Sequence, residues 1–238
     1  AYELILVDNG SKDGTEAFFR TVPGAKVIRN ETNLGVAKGW NQGMRLATGD
    51  YILILNNDVI VGADWLENMV RLAESDESIG LVGPRSNYIA GPQVVADVAY
   101  KTAAGYLEGG IEPFISKWQT DHDRSACEFA FIKGFCHLIP RRVFEKVGFY
   151  DERYGKGNFE DDDYCVRVRY HGFRALFADD SFIHHFGSVS FNQESVDWRA
   201  LMIENQKKYE QKWARGAAAV NDTVVGDDKA TAAPATLA

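Results

Sequence analysis

Tyr51-Ile52-Leu53-Ile54-Leu55-Asn56-Asn57-Asp58 decides the fold. Five consecutive apolar residues leave no polar face. The run therefore predicts a strand covered on both sides, as in a parallel sheet between helix layers. Just upstream, Val36, Ala37, Trp40, Met44 and Ala47 recur at intervals of three and four, which predicts a helix over 35–47 with one buried face. Further upstream, Lys26-Val27-Ile28-Arg29 reads as a short strand and 15–20 as a short helix with Thr15 as N-cap. Leu4-Ile5-Leu6-Val7 reads as a buried strand that runs into the turn-rich Asp8-Asn9-Gly10-Ser11. Downstream, Asp64 and Glu67 have capping-box spacing ahead of Trp65, Leu66, Met69, Val70 and Ala73. Alternating strands and helices predict an α/β fold built on an open, mostly parallel sheet flanked by helices. In such sheets ligands bind beyond the carboxyl ends of the strands, where the loops after Val7 and Leu55 lie.

The remainder is less regular. Gly83-Pro84, Gly91-Pro92 and Gly109-Gly110 break the stretch from 84 to 127 into loops and short pieces. Order returns with a strand at 136–139, a helix at 141–147, a Gly-rich loop at 155–159, a helix from Glu160 to about His171 and a strand at 175–177. A long amphipathic helix over 195–213, carrying Trp198, Leu201, Met202, Tyr209 and Trp213, is expected to cover the core. After Gly216 the composition shifts to Ala, Thr and Asp. Residues 1–216 are therefore expected to form one domain, and 217–238 a weakly ordered tail or linker.

Composition narrows the function. The 238 residues hold 26 Lys and Arg against 34 Asp and Glu, a formal charge of −8 that argues against nonspecific nucleic-acid binding. With 14 Phe, 10 Tyr and 5 Trp the chain has the means to bury a core. No stretch has the roughly 20 apolar residues of a membrane span. Cys127, Cys136 and Cys165 are odd in number and lack CxxC spacing, which predicts reduced thiols in a cytoplasmic protein.

Three groups of residues could carry chemistry. Asn56-Asn57-Asp58 ends a buried strand; it is either a turn or a place where one carboxylate holds a divalent cation on a diphosphate. Glu160-Asp161-Asp162-Asp163 is either a solvated helix start or the source of a general base. His184 and His185 point to opposite faces if strand-like, so one reaches a cleft while the other packs. The glycines at 10, 14, 35, 39 and 43 match no phosphate-loop pattern.

Taken in order, ELILVDNGSKDGT (3–15), NLGVAKGWNQGMRLATGDYILILNNDVIV (33–61), the stretch from Gly134 to Phe177 and IHHFGSVSF (183–191) resemble glycosyltransferase family 2. These are inverting enzymes of the GT-A fold, here of the rhamnosyltransferase or galactofuranosyltransferase kind. The resemblance implies transfer of a sugar from a UDP-, dTDP- or GDP-sugar to a hydroxyl of a glycan, lipid-linked or protein acceptor. The work belongs to polysaccharide and cell-wall assembly, in the cytoplasm or at the inner face of the membrane.

Site roles follow from the same resemblance. Asp161 matches the catalytic base, with Glu160 beside it near the acceptor. Asp8, Asn9, Asn33, Asn56 and Asn57 match nucleotide-binding positions. Asp58 occupies the last position of the DxD motif, whose first Asp is Asn56 here; with His185 it is expected to hold Mg²⁺ or Mn²⁺. Relatives usually begin with one further strand and helix that this sequence lacks before residue 1. A nucleotide-sugar-binding domain without catalysis is a second reading. A sugar nucleotidyltransferase is a third, weakened by the missing Gly-rich phosphate loop.

Overall fold

The computed structural model describes residues 1–100, 110–187 and 197–226. Its strands are β1 (Ile5–Asn9), β2 (Lys26–Asn30), β3 (Tyr51–Leu55), β4 (Val59–Val61), β5 (Ile79–Ser86), β6 (Ala126–Glu128), β7 (Cys136–Pro140) and β8 (Arg174–His185). The helices are α1 (Thr15–Phe19), α2 (Val36–Leu46), α3 (Trp65–Glu74), α4 (Glu112–Asp121), α5 (Arg141–Val147), α6 (Glu160–Tyr170) and α7 (Trp198–Trp213).

β1 and β2 pair in parallel as a sheet of their own. The main sheet runs β3-β7-β5-β8-β4, with β6 also on β8. Within it β5 and β8 are parallel, while β3–β7, β5–β7, β4–β8 and β6–β8 are antiparallel. The α/β layering matches the expectation, but the sheet is mixed rather than mostly parallel. β3 stands at its edge. Ile52 and Ile54 are buried while Leu55 is 37% exposed, so the five-residue apolar run is not covered on both faces.

Side-chain alternation along the strands builds two cores. Leu81, Ile139, Ala175 and Phe177 meet α2, α5 and α6 on one face. Val82, Leu138, Leu176, Ala178 and Ile183 meet α3 on the other. A third cluster, with Tyr100, Ile111, Ile115 and Phe182, seats α4. Cys136 and Cys165 are buried and Cys127 is exposed, all as free thiols.

Several local expectations are corrected. Gly14, not Thr15, caps α1. Asp64 precedes α3 in a left-handed conformation, with no side-chain capping bond. Gly83 and Pro84 lie inside β5, which continues past them by a register shift against β8. The expected strand at 175–177 extends to His185. Its polar middle survives burial because each group has a partner: Asp179 pairs with Arg85, Asp180 with Arg71, and Ser181 donates to the Trp65 carbonyl.

The C-terminal part also differs. The two buried residues of α7 are Asn205 and Lys212, while Trp198 and Met202 are 41% and 37% exposed. The helix docks through these two buried polar side chains together with the half-buried Tyr209 and Trp213, which pack on Phe159 and Tyr170; Trp198 and Met202 of the expected stripe stay exposed. Residues 217–226 fold back: Glu152 N donates to the Val224 carbonyl, and Gly226 N donates to Glu152 Oε2. The packed unit therefore runs past 216. The remaining tail, 227–238, lies outside the described residues, as does the 188–191 part of the last family stretch.

Candidate active site

The ends of β3 and β8, the start of α6 and the loops after β1 and β2 hold the site residues in three neighbourhoods. The first is built around the turn after β3. Val59 pairs with His185 in the β4–β8 ladder, so Asp58 lies beside the His185 ring. Asp58 Oδ1 is 3.2 Å from His185 Nε2. Asn87 clasps the His185 backbone from both sides, accepting from its N–H at 2.8 Å and donating to its carbonyl at 3.1 Å. His185 Nδ1 lies 2.9 Å from the Tyr88 carbonyl, which only accepts, so Nδ1 carries the hydrogen and Nε2 faces Asp58. The Phe135 ring stacks on the imidazole at 5.0 Å. Burial opposes charge on His185, but Asp58 and the Tyr88 carbonyl outweigh it and raise its pKa. Burial likewise opposes ionisation of Asp58, and the His185 contact with backbone N–H groups outweighs it, lowering that pKa.

This pair fits a divalent cation. A carboxylate oxygen and a buried imidazole nitrogen without a hydrogen bond converge, and the other ring nitrogen is tied down in the manner of metal-bound histidines. Among the described residues no third acid, His or Cys joins them. A cation held there would draw its other ligands from water and phosphate, the usual habit of Mg²⁺. His184 points the other way, with Nδ1 2.9 Å from the Tyr100 hydroxyl. Asn57 is exposed and Asn56 half-buried; Asn56 N donates to the Phe135 carbonyl at 2.8 Å.

The second neighbourhood is the start of α6. Asp161 Oδ2 accepts from Gly134 N at 3.0 Å, and Oδ1 accepts from Asp162 N at 2.9 Å. Lys133 Nζ lies 2.6 Å from Asp162 and 3.9 Å from Asp161. The Asp161 side chain keeps 14% of its surface open, so a hydroxyl can reach it. Glu160 is buried, and its Oε2 has no hydrogen-bond partner. Burial, with the charges of Asp161 and Asp162, pushes its carboxyl up to about 8. Glu160 thus stays protonated near neutrality while its neighbour is presented by two backbone donors.

Lys133-Gly134-Phe135 joins these first two neighbourhoods. Gly134 holds Asp161, and the next residue, Phe135, holds both Asn56 and His185. A Cβ at Gly134 would sit 2.7 Å from the Trp40 ring and 3.0 Å from Asp161 Cβ, so only glycine allows this approach. Asp58 and Asp161 therefore share one end of the sheet, although about a hundred residues separate them in the chain.

The loops beside β1 and β2 form a third part. Asp8 is buried, with Oδ2 3.0 Å from Arg29 Nη1 and Oδ1 accepting from Ser11 N at 2.9 Å. Asn9 donates to Asn33 Oδ1 and the Gly35 carbonyl and accepts from Asn30 and Leu34 N. Both side chains thus shape the loop from within. Gly35 has φ +99°, and a Cβ there would run into the Gly155 carbonyl. Lys156 Nζ donates to the Asn33 carbonyl at 3.3 Å, so this loop and the one before α6 lie against each other. The sequence around Asn87 and Tyr88 is expected to shape donor or acceptor binding without a role for either residue, and Lys133, Gly134 and Phe135 carry no expected role. Glycine before an aromatic residue at the mouth of a strand was the one local signal available.

A mixed sheet covered by helices, with Asp58, His185 and Asp161 at one end, is the architecture shared with the solved GT-A nucleotide-sugar transferases. The chain belongs to glycosyl transferase family 2, whose family model matches residues 1–148. It is 24% identical over 211 residues to glycosyltransferase GlyG of Streptococcus pneumoniae, covering 85% of this chain and 67% of that protein. It is also 24% identical over 214 residues to the N-acetylglucosaminyl-diphospho-decaprenol L-rhamnosyltransferase of Mycobacterium tuberculosis, covering 80% and 68%. Escherichia coli chondroitin synthase is 22% identical over 81% of this chain, which spans 30% of that protein. The uncharacterized y4gI of Sinorhizobium fredii is 26% identical over 89% of the chain, which spans 24% of its length. Among solved structures, GalNAc-T7 with UDP, GalNAc and Mn²⁺ aligns over 91% of this chain and 43% of its own at TM-score 0.62 and 17% identity. The Pyrobaculum calidifontis mannosyltransferase PcManGT with GDP-Man and Mn²⁺ aligns over 96% and 56% at TM-score 0.57 and 19% identity. Among the described residues no helix is long and apolar enough to cross a membrane.

Proposed function

We propose that this chain carries the donor and catalytic sites of an inverting, metal-dependent sugar transferase that uses a nucleoside-diphosphate sugar. The observation that carries the reading is the Gly134 N–H bond to Asp161, because the residue after Gly134, Phe135, stacks on His185, the partner of Asp58. The solved neighbours hold UDP or GDP-Man with Mn²⁺, which supports the same donor class and cation here.

Asp161 takes the proton of an acceptor hydroxyl as that oxygen bonds to the anomeric carbon. The bond from that carbon to the diphosphate breaks on the opposite face, and the electron pair leaves with the diphosphate. One displacement inverts the configuration. Asp58 and His185 would hold Mg²⁺ or Mn²⁺, which supplies charge stabilisation to the departing diphosphate. Glu160, uncharged near pH 7, adds no second negative charge beside the base and can donate a hydrogen bond toward the acceptor. Asp8, Asn9 and Asn33 build the nucleotide loop, and Asn56 and Asn57 border it at the end of β3. The acceptor is a hydroxyl of a glycan or lipid-linked sugar, in line with the named activity of the mycobacterial relative. Such work fits the cytoplasmic face of a membrane, with the chain bound peripherally.

The test begins with melting shifts for UDP-, dTDP- and GDP-sugars with Mg²⁺ or Mn²⁺, then measures nucleoside-diphosphate release and the product's anomeric configuration. Asp161→Asn is expected to bind donor as before and to lose about 10²–10⁴ in rate. Retention of most transfer activity in that variant removes Asp161 from the base role, and binding without any turnover in the unaltered chain removes the transferase reading.

A further inference from the structure

The loop before α6 is held in an unfavourable backbone shape. Gly155, Gly157, Asn158 and Phe159 all have positive φ, at +60°, +132°, +76° and +75°. Two of the four carry side chains, which disfavour this region. Such a loop keeps its shape only when its surroundings over-determine it. Here the central contact comes from one side chain of α7. Asn205 is fully buried, and its Nδ2 donates to the carbonyls of Tyr154 at 2.7 Å and Gly157 at 2.8 Å, with the Asn158 carbonyl at 3.4 Å. Carbonyls only accept, so the amide orientation is fixed by its partners. Lys208 adds a bond to the Arg153 carbonyl, and the Tyr209 ring leans on Phe159, the residue that starts α6.

The clamped loop touches both functional loops. On one side it runs directly into Glu160 and Asp161. On the other, the Gly155 carbonyl abuts Gly35, and Lys156 bonds to the Asn33 carbonyl. We infer that Asn205, remote in sequence from every site residue, is a positioning residue: it holds loop 154–158 in the strained shape that aims Asp161 at the acceptor. This rests on the proposed function, since it assumes that Asp161 acts on an acceptor.

The variants are Asn205→Ala, which removes the donor, and Asn205→Asp, which sets a carboxylate against three carbonyls at nearly unchanged volume. Amide exchange read by mass spectrometry reports the clamp without reference to activity. Exchange is expected to speed up across 153–163 and to stay unchanged in β3 and β7. In the same variants kcat is expected to fall about 10–100-fold, the scale of small misplacements of a reacting group. Any loss of affinity for UDP or GDP with Mn²⁺ is expected to be smaller than the loss in kcat, because the loop borders Asn33 and Gly35 but runs directly into Asp161. Asn205→Ala stands as the measurement if Asn205→Asp does not fold. Faster loop exchange with unchanged kcat overturns the positioning role. Unchanged exchange overturns the clamp itself. An unaltered chain that binds nucleotide and never turns over defeats the proposed function while leaving the exchange result readable.

Discussion

Lys212→Met tests the anchorage of α7. The Lys212 ammonium lies 2.7 Å from Asp151 and 2.6 Å from Asp163, and all three side chains are fully buried. Arg153 also pairs with Asp151, and Arg167 with Asp163. Trp213 Nε1 donates to Asp163 at 3.1 Å. Methionine keeps an unbranched stem of similar length and removes the ammonium together with its hydrogen bonds to the carboxylates. Removing one partner from a buried pair typically costs about 3–5 kcal/mol. The two arginines remain to neutralise the carboxylates, which puts the expectation at the lower end, about 3 kcal/mol. For a domain of this size each kcal/mol moves the melting temperature by about 2–4 °C, so a fall of about 6–12 °C is expected at pH 7. Calorimetry and urea titration read the change, and an unchanged denaturant slope shows that compactness is preserved. A variant that melts within about 2 °C of its parent would refute the reasoning, because the desolvation of three charges would then have cancelled their attraction.

Two further outcomes are expected. Asp58→Ala removes the carboxylate that faces His185, the only one there among the described residues, so the Mn²⁺-dependent part of UDP or GDP affinity is expected to vanish; equal affinity in parent and variant with Mn²⁺ present would count against the cation site. Glu160 has its folded pKa raised from 4.5 to about 8, so the folded chain holds a proton that the unfolded chain releases between those values. Stability is therefore fullest at low pH within that window and declines as pH rises through it. Glu160→Gln cannot ionise and should gain melting temperature over its parent at pH 9 but little at pH 5. An equal difference at both pH values would refute the assignment.

The central α/β pattern was legible where apolar periodicity is local. Strand 51–55 and helix 141–147 fall where their residues place them. β8 was cut short because Asp179-Asp180-Ser181 looks like a loop; its partners Arg85, Arg71 and Trp65 are distant, and no local pattern announces them. Pro84 hid β5 for the opposite reason, as a breaker tolerated at a register shift. The apolar stripe expected in α7 holds for Tyr209 and Trp213, but the fully buried positions belong to Asn205 and Lys212, whose value depends on a loop and two carboxylates elsewhere. Within the site, the family resemblance, not a local pattern, singled out Asp58 and His185, which the fold sets 3.2 Å apart. Their alignment by Asn87 and Tyr88, and the tie from Gly134 to Asp161, exist only once the chain has closed on itself.

Gly134 and Phe135 are consecutive, yet one bonds to Asp161 at the start of α6 and the other touches Asn56 and His185 at the far ends of β3 and β8. Neighbouring Cα atoms stand about 3.8 Å apart, so the two attachments are yoked: a shift of the α6 start is passed through a single peptide unit to the turn after β3.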